Sequence, residues 1–317
     1  MVADLGELVR PMAEEEFTER YRNGEVFTVR APQPDKLAGL LPWDTINALF
    51  DGDCLQPERM SIMRDGRQIP DWLWYSNPPG PRLNAAALRG LLSQGATVVV
   101  NRIDELVPAI RRLTMAVQDR LQARVSANAY LSFRRGSALA AHYDNHDIIV
   151  AQIHGAKRWW LYSQREAFPV AIDPINCGER PPPGDPVRDD VLNAGDIMIL
   201  PRGEWHRTAV EGDISVHITV GVKPARGLNL IQRCLDEARK DVLFRQDLPH
   251  FRGLNALAAH EAQLKQRVSE ILAGLSLEEL VAEAAAPLPD PPPMPGRRPG
   301  LASRFHFPSL EEMPTRK

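Results

Sequence analysis

The 317-residue sequence has few cysteines, almost no net charge and no long apolar run. Its three cysteines, Cys54, Cys177 and Cys234, lie far apart and form no C-x-x-C pair. This argues against a disulfide framework and a zinc cluster, and it favours a reducing compartment. The net charge of −3 lacks the basic excess that is typical of nucleic-acid-binding proteins. No apolar stretch approaches the roughly 20 residues that a membrane-spanning helix needs.

The first residues, MVADLGELVRPMAEEE, carry acids where a secretory signal has basic and then apolar residues. A hydrophobic content of 44% and a charged content of 25% are typical of a soluble globular protein. We therefore expect a cytoplasmic protein that neither enters a membrane nor binds nucleic acid directly. The length allows one large domain with an accessory element, or two domains.

The first 125 residues alternate between helix and strand signals. Apolar periodicity, capping residues and turn dipeptides predict the following order: a helix over 12–22, a strand over 25–32, a helix over 40–52, a hairpin over 60–69, a helix over 84–94, a strand over 96–104 and a helix over 107–125. The hairpin is centred on Asp65-Gly66, a dipeptide that favours a tight two-residue turn.

Residues 126–222 contain short strand-like runs separated by turns, a pattern that fits a double-sheet jelly roll. A long loop rich in Pro, Gly and Asp, over 165–190, interrupts them. Residues 226–286 have helical periodicity and predict an accessory region. Residues 287–317 form a proline-rich tail that is predicted to be mobile.

The segment AHYDNHDIIVAQIHGAKRWWL, residues 141–161, carries the chemistry. In an extended strand His142 and Asp144 point to the same face, and His206, after GDIMILP, supplies a third ligand. Two histidines and one carboxylate with open positions describe a non-haem Fe(II) site that activates O2. A lone H-x-D is more often a surface hydrogen bond, but the spacing around His206 supports the metal site.

That spacing, Gly195, five residues, Pro201, one residue, Gly203, two residues and His206, is the second cupin motif. Together with NAYLSFRRGSALAAHYDNHDIIVAQIHGAKRWWLY, it resembles the JmjC-type cupin oxygenases of the ribosomal oxygenase (cupin-4) family. The order of the N-terminal elements extends the resemblance over roughly residues 15–225.

The resemblance implies an α+β fold, a double-stranded β-helix (the cupin/JmjC jelly roll) with N-terminal helices and a C-terminal helical region. It implies an oxygenase domain over 1–225 that uses Fe(II), 2-oxoglutarate and O2. In this family the lysine of the G-x-K-R-W motif, here Lys157, binds the distal carboxylate of 2-oxoglutarate. A bare lysine is more often a solvated charge. The N-x-Y pair Asn128 and Tyr130 flanks the co-substrate in the family.

The strand 214–222 alternates polar and apolar side chains, with Ser215, His217 and Thr219 on one face. Ser215 and Thr219 are predicted to contact the co-substrate or to form simple hydrogen bonds. His217 is predicted to be a core histidine, since the metal set is already full. Arg158 points away from Lys157 and is predicted to form a surface ion pair.

Protein hydroxylation is the function that the resemblance implies, with a ribosomal protein as a candidate substrate. Asp185, Asp189 and Asp190 in the long loop favour a basic side chain (Arg, Lys or His), or they form a solvated acidic patch. The alternatives are the same chemistry on a small molecule or natural-product peptide, and a non-catalytic cupin. The complete triad together with Lys157 argues against the latter.

The family carries dimerising helices and a winged-helix module after the jelly roll. Here the helices are present, but strand signals for a winged helix are few. Leu228, Ile231 and Leu235 form an apolar stripe at helical spacing, which predicts a homodimer or packing against the chain's own jelly roll.

Overall fold

The computed structural model describes residues 2, 4–51, 55–76, 82–134, 140–170, 184–287, 305 and 307. The chain forms two compact units. The first unit contains Met1–Arg120 and Val125–Val222, together with the tail residues Phe305 and Phe307. The second unit contains Leu121–Arg124 and Lys223–Pro287.

Regular structure covers most of the described residues. The helices are α1 (Leu5–Val9), α2 (Glu14–Arg22), α3 (Trp43–Asp51), α4 (Ala85–Ser93), α5 (Pro108–Leu121), α6 (Gly227–Ala238), α7 (Val242–Arg245), α8 (Leu254–Ala273) and α9 (Leu277–Ala285). The strands are β1 (Phe27–Val29), β2 (Met60–Arg64), β3 (Arg67–Ile69), β4 (Tyr75–Ser76), β5 (Arg82–Leu83), β6 (Thr97–Val100), β7 (Arg124–Ser132), β8 (Asp147–Arg165), β9 (Pro186–Asn193), β10 (Ile197–Leu200) and β11 (Glu204–Lys223). None of these helices combines the length and apolar composition needed to cross a bilayer.

The N-terminal elements follow the order predicted from the sequence, with α2, α3, α4 and α5 at the four predicted helices. The predicted hairpin is β2–β3. Its turn residues Asp65 and Gly66 both have positive φ, at 51° and 77°. A two-residue turn of this kind matches the twist of the strands that it joins. The hairpin then pairs with β6, and β6 pairs with β7, so the N-terminal half extends the main sheet.

The main sheet is antiparallel in its described pairings and contains nine strands in the order β1-β10-β8-β11-β7-β6-β2-β3, with β9 also paired to β8. Its two longest strands, β8 and β11, have 19 and 20 residues and pair along most of their length. The sequence predicted short strands separated by turns over residues 126–222, and for β8 this was wrong, because this strand continues through Gly155.

Gly155 is where β8 bends. Its φ of +65° is unfavourable for other residues, and a Cβ there would overlap the carbonyl oxygen of Ile214. The two halves of β8 then contribute to one apolar cluster, which contains Ile148, Val150, Trp159, Leu161, Leu192, Met198 and Leu200. Because β8 packs against itself across an interior, the sheet encloses a core. This is the predicted double-stranded β-helix, and the fold class is confirmed.

The second unit is helical. Helix α6 packs against α8 and α9, and residues 224–287, all of which are described, contain no strand. A winged helix is therefore absent from this segment. Of the proline-rich tail 287–317, the structure describes residue 287 together with Phe305 and Phe307, and both phenylalanines are buried, with exposed fractions of 1% and 5%. The rest of the tail lies outside the described residues.

Candidate metal centre

His142, Asp144 and His206 converge on one point of the first unit. One ligand atom from each lies within 4.8 Å of the other two. The two imidazoles are buried, while the carboxylate is 27% exposed. The donor set is therefore enclosed on the side of the imidazoles and open on the side of the carboxylate.

A backbone bridge holds the two histidines together. The N–H of His142 donates to the carbonyl of His206 at 2.9 Å, and the N–H of His206 donates back at 2.7 Å. Their ring centroids are 4.4 Å apart. The predicted strand through the H-x-D motif is wrong, because β8 begins only at Asp147 and His142 forms an isolated bridge. His142 and Asp144 still lie on one face, because the backbone at the bridge between His142 and His206 is extended.

Apolar packing decides which way the H-x-D side chains point. Ala141 and Tyr143, which alternate with the ligands, are buried with Tyr162 and Trp205 in a separate cluster. The Tyr143 and Trp205 rings meet edge to face, with centroids 5.2 Å apart. This arrangement directs His142 and Asp144 to the opposite side.

Hydrogen bonds to backbone carbonyls set the tautomer of both histidines. The Nδ1 atom of His142 lies 2.9 Å from the carbonyl of Ala140, and that of His206 lies 3.0 Å from the carbonyl of Glu204. Since a carbonyl only accepts, Nδ1 carries the proton and Nε2 keeps a lone pair for a metal. Burial and the neighbouring His142 lower the pKa of His206, which keeps it neutral at physiological pH.

This donor set fits Fe(II). Two neutral imidazoles and one carboxylate on one side of an ion form the facial arrangement of non-haem iron oxygenases, and they leave other positions open. The site charge of −1 suits a divalent cation. Other divalent ions bind such ligands as well, so geometry rather than affinity favours iron.

The N-H-D motif at residues 145–147, which follows His142 and Asp144, has a structural role. The Asp147 carboxylate accepts hydrogen bonds from the backbone N–H of Arg202 and the hydroxyl of Tyr21, each at 2.9 Å. Burial and Asp147 raise the pKa of Tyr21, so its hydroxyl remains a donor. The backbone N–H of Gly203 donates to the carbonyl of Asp144 at 2.9 Å. These contacts tie the loop before His206 to the segment that carries the other two ligands.

A cavity opens beside the three ligands. It is lined by Tyr130, His142, Asp144, Ile148, Lys157, Trp159, His206, Thr208, His217 and Thr219. The sequence interpretation did not assign Ile148, Trp159 or Thr208 to the site. Alternation along a strand was the available signal for Trp159, two residues after Lys157, and for Thr208, two residues after His206.

Lys157 is a buried cation in this cavity, with 3% of its surface exposed. Burial lowers its pKa to about 7. Within the described part of the chain its ammonium forms no hydrogen bond or ion pair, and the ring of Tyr130 lies 5.8 Å away. A buried ammonium without an anionic partner is costly, so the arrangement fits an anionic ligand.

The residues on either side of Lys157 confirm the alternation. Arg158 points outward and donates to Asp189 through two bonds of 2.7 and 2.6 Å. Trp159 is buried, and its ring faces that of His206 at 5.5 Å. The outward-facing Trp160 lies between the guanidinium groups of Arg158 and Arg207, at 5.4 and 4.4 Å.

The structure brings three of the four other predicted co-substrate residues to this region. Tyr130 and Thr219 line the cavity. Asn128 lies behind Tyr130, hydrogen-bonds its side chain and accepts from the N–H of Arg102 at 3.0 Å. Burial and Asp144 raise the pKa of Tyr130, so its hydroxyl stays protonated.

Ser215 does not line the cavity. It is fully buried and interacts with the side-chain amide of Gln152 at 3.1 Å. It pairs with Gly155, at the bend of β8, next to a register shift in β11. This bend places Ser215 at a corner of the sheet, which regular alternation along a strand does not anticipate.

His217 forms a wall of the cavity rather than a metal ligand. Its ring stacks on Tyr130 with centroids 4.6 Å apart. Burial and Lys157 hold its pKa well below the usual value, so the ring is neutral. Its Nδ1 atom, like Nε1 of Trp159, is buried without a hydrogen-bond partner among the described residues.

Two of the three acidic residues that were predicted to favour a basic substrate are paired within the chain, while the third, Asp185, lies before β9 and is exposed. Asp189 and Asp190 belong to strand β9. The Arg158 guanidinium lowers the pKa of Asp189, and Asp190 forms ion pairs with Arg30 and Arg188. The carboxylates of Asp189 and Asp190 are ion-paired within the chain, so these two residues give no support to a preference for a basic substrate.

Removing one imidazole tests the metal centre. We expect His142→Ala to weaken Co(II) binding by more than about 100-fold, since even the loss of a ligand's hydrogen-bond partner costs 10- to 100-fold. Co(II) absorption titration measures this, and circular dichroism reports the fold. His250→Ala, which changes an exposed histidine of the second unit, is the matched control. Unchanged Co(II) affinity in His142→Ala would contradict the assignment.

The chain is similar to a known domain family and to several known proteins. Residues 105–230 match the JmjC domain family. The bifunctional lysine-specific demethylase and histidyl-hydroxylase NO66 of Drosophila mojavensis is 28% identical over 221 residues, covering 69% of this chain and 24% of that protein. The NO66 protein of Drosophila sechellia is 30% identical over 244 residues, covering 74% of this chain and 34% of that protein.

Among solved structures, YcfD, a ribosomal oxygenase from Escherichia coli, aligns with a TM-score of 0.49 at 16% identity, covering 73% of this chain and 56% of that one. The chain thus spans about a quarter to a third of the length of the curated relatives that it matches. The family that was predicted from the sequence motifs is confirmed for the segment that carries them: residues 105–230 belong to the JmjC domain family.

Proposed function

We propose that the chain is an Fe(II)- and 2-oxoglutarate-dependent oxygenase that hydroxylates a C–H bond of a protein or peptide side chain. The observation that carries the proposal is the presence of His142, Asp144 and His206 in one cavity with the unpaired Lys157. A metal triad alone fits many metalloproteins. A buried cation beside it adds a place for the carboxylate of an organic acid.

When bound, Fe(II) supplies the redox chemistry: O2 is consumed, one oxygen atom enters the C–H bond, and the other enters succinate as 2-oxoglutarate loses CO2. The chain's own residues bind and orient the ion and the co-substrate, and they exclude water. His142, Asp144 and His206 hold the ion, and Lys157 binds the distal carboxylate of 2-oxoglutarate. Ile148, together with the rings lining the cavity, limits the entry of water.

The substitution Lys157→Met tests the co-substrate site. Losing one charge-assisted hydrogen bond costs about 1.5–3 kcal/mol, so the affinity for 2-oxoglutarate should fall roughly 10- to 100-fold. Isothermal titration calorimetry of the metal-loaded protein measures this. Arg158→Met is the matched control, because its guanidinium faces outward and pairs with Asp189. An unchanged affinity in Lys157→Met would assign the clamp to another residue.

The same titration has a pH signature. With a pKa of about 7, Lys157 is mostly neutral at pH 8 in the free protein. A bound carboxylate raises that pKa, so binding at pH 8 takes up a proton, and this uptake disappears well below pH 7. Comparing buffers of different ionisation enthalpy reports the uptake, which Lys157→Met should abolish.

A polypeptide is the substrate class that we propose. The NO66 relatives are named for lysine and histidine side chains. The partial exposure of the Asp144 side chain supports this class, because it leaves the metal ligands open to approach from outside. Arginine, histidine and lysine remain our candidates, with a ribosomal protein as the likeness to the ribosomal oxygenases implies.

Mass spectrometry decides the substrate class. Ribosomal proteins and peptides are incubated with the enzyme, Fe(II), 2-oxoglutarate and O2, and we expect a peptide that gains one oxygen atom. His142→Ala, run in parallel, should give no product. Efficient oxidation of a free amino acid or metabolite, with no peptide modified, would favour the small-molecule alternative.

A homodimer formed partly through α6 is the final element of the proposal. This helix buries the small residues Cys234 and Ala238 and leaves Leu228, Ile231 and Leu235 exposed by 56%, 57% and 47%. Three exposed apolar side chains on one face of a helix are typical of a protein–protein interface.

Light scattering on the full chain tests the dimer. We expect twice the 35.4 kDa mass of one chain, and a monomer for Ile231→Asp, because a carboxylate in an apolar interface is strongly unfavourable. Gln232→Ala, a change at the adjacent exposed position, serves as the control. A monomeric unmodified protein would refute this part.

A further inference from the structure

A second built site lies in the first unit, away from the metal cavity. Phe305 and Phe307, far along the chain, are buried against helix α3 and the residue that follows β7. The ring of Phe50 lies 5.4 Å from that of Phe305 and 5.3 Å from that of Phe307. Phe133 stacks on Phe307 with centroids 4.6 Å apart at 18°. We name Asn47, Phe50 and Phe133 the aromatic slot.

The aromatic slot binds the backbone of the tail segment as well as its aromatic rings. The side-chain amide of Asn47 donates to the carbonyl of Phe307 at 2.9 Å, and its oxygen accepts from the N–H of Phe307 at 2.7 Å. One amide thus satisfies both backbone groups of one residue, as a neighbouring β-strand would. This contact does not depend on the ligand's side chains, so it fits a peptide with a free backbone edge.

The two rings supply the sequence requirement. The ring centroids of Phe305 and Phe307 lie 5.8 Å apart, so the two rings occupy the slot as a pair. The centroids of both rings lie within 5.4 Å of that of Phe50. Aromatic pairs at these separations attract each other in addition to the apolar area that they bury. A ligand therefore needs an F-x-F sequence rather than general hydrophobicity.

The walls of the slot are fixed by the unit's own core. Phe50 and Phe133 have exposed fractions of 1% and 0%. Phe50 lies on the face of α3 that also buries Ile46 and Leu49. Phe133 directly follows β7, which is paired to β6. Because the walls belong to ordered elements, the slot is held in shape before the phenylalanines enter.

We propose that the aromatic slot is a peptide-docking site for F-x-F segments, and that its resident ligand is the chain's own segment at residues 305–307. The 17 residues 288–304 link this segment to the second unit. A tether of this length gives an effective concentration on the order of millimolar. Micromolar affinity for a free peptide is then enough to keep the slot filled from the same chain.

The slot is independent of the oxygenase chemistry. None of its residues lines the metal cavity. Changes in the slot should therefore leave Co(II) binding unaltered, which distinguishes failure of this proposal from failure of the proposed function.

Peptide binding in trans is the direct test. A fluorescein-labelled peptide of the sequence LASRFHFPSL, residues 301–310, is titrated into the full chain carrying Phe305→Ala and Phe307→Ala, and anisotropy is read. We expect saturable binding to this variant and binding weaker by about tenfold or more to the unmodified protein, whose slot is filled. A peptide with both phenylalanines replaced by alanine should not bind. Adding Asn47→Ala to the variant should weaken binding by about tenfold, as the loss of two hydrogen bonds implies.

The proposal is overturned if the folded variant, with unaltered Co(II) affinity, does not bind the peptide, or if variant and unmodified protein bind it equally. Should the variant fail to fold, a protease site inserted after Gly300 of the full chain replaces it. After cleavage of the folded protein, the free tail should dissociate on dilution, and the labelled peptide should take its place. A slot that retains neither the cut tail nor the peptide at any concentration would refute the proposal.

Discussion

Two reciprocal hydrogen bonds between the backbones of His142 and His206 are the contact on which the metal centre depends. They join segments more than sixty residues apart and fix the distance between two imidazoles before any ion binds. The carbonyls of Ala140 and Glu204 then set the ring orientation from the same two backbone segments. Position, tautomer and direction of both ligands therefore come from backbone geometry. Asp144 is carried by the same segment and is the part of the set left partly open to solvent.

Much of the first unit could be predicted, because its signals are local. The helices α2 to α5, the Asp65-Gly66 turn and the H-x-D and G-x5-P-x-G-x2-H spacings each depend on residues close in sequence. The predictions that were wrong concern residues whose positions depend on contacts between segments that are distant in sequence. Gly155 lies at a bend within one strand, where the carbonyl of Ile214 approaches it. The hydrophobic periodicity of the sequence does not indicate this approach. Ser215 leaves the cavity for the same reason.

The acidic residues of β9 show a second limit of prediction from the sequence. Composition identified Asp189 and Asp190 as a negative patch, but their partners Arg30, Arg158 and Arg188 are brought to them by sheet pairing. Lys157 is the opposite case. Its ammonium has no ion-pair partner among the described residues, so the fold itself bears the cost of desolvating it. A protein selected only for stability would not keep an ammonium there, and that cost connects the fold to the binding of an acid.

The aromatic slot also has a consequence for how the chain is made. Asn47 and Phe307 are separated by 260 residues, so the slot is synthesised long before its ligand. At about 5–20 residues per second, the ribosome needs on the order of tens of seconds to deliver Phe305 and Phe307. Throughout that interval Phe50 and Phe133 lack the rings that cover them in the finished protein. The apolar surface of Phe50 and Phe133 is therefore the last part of the first unit's described core to be covered.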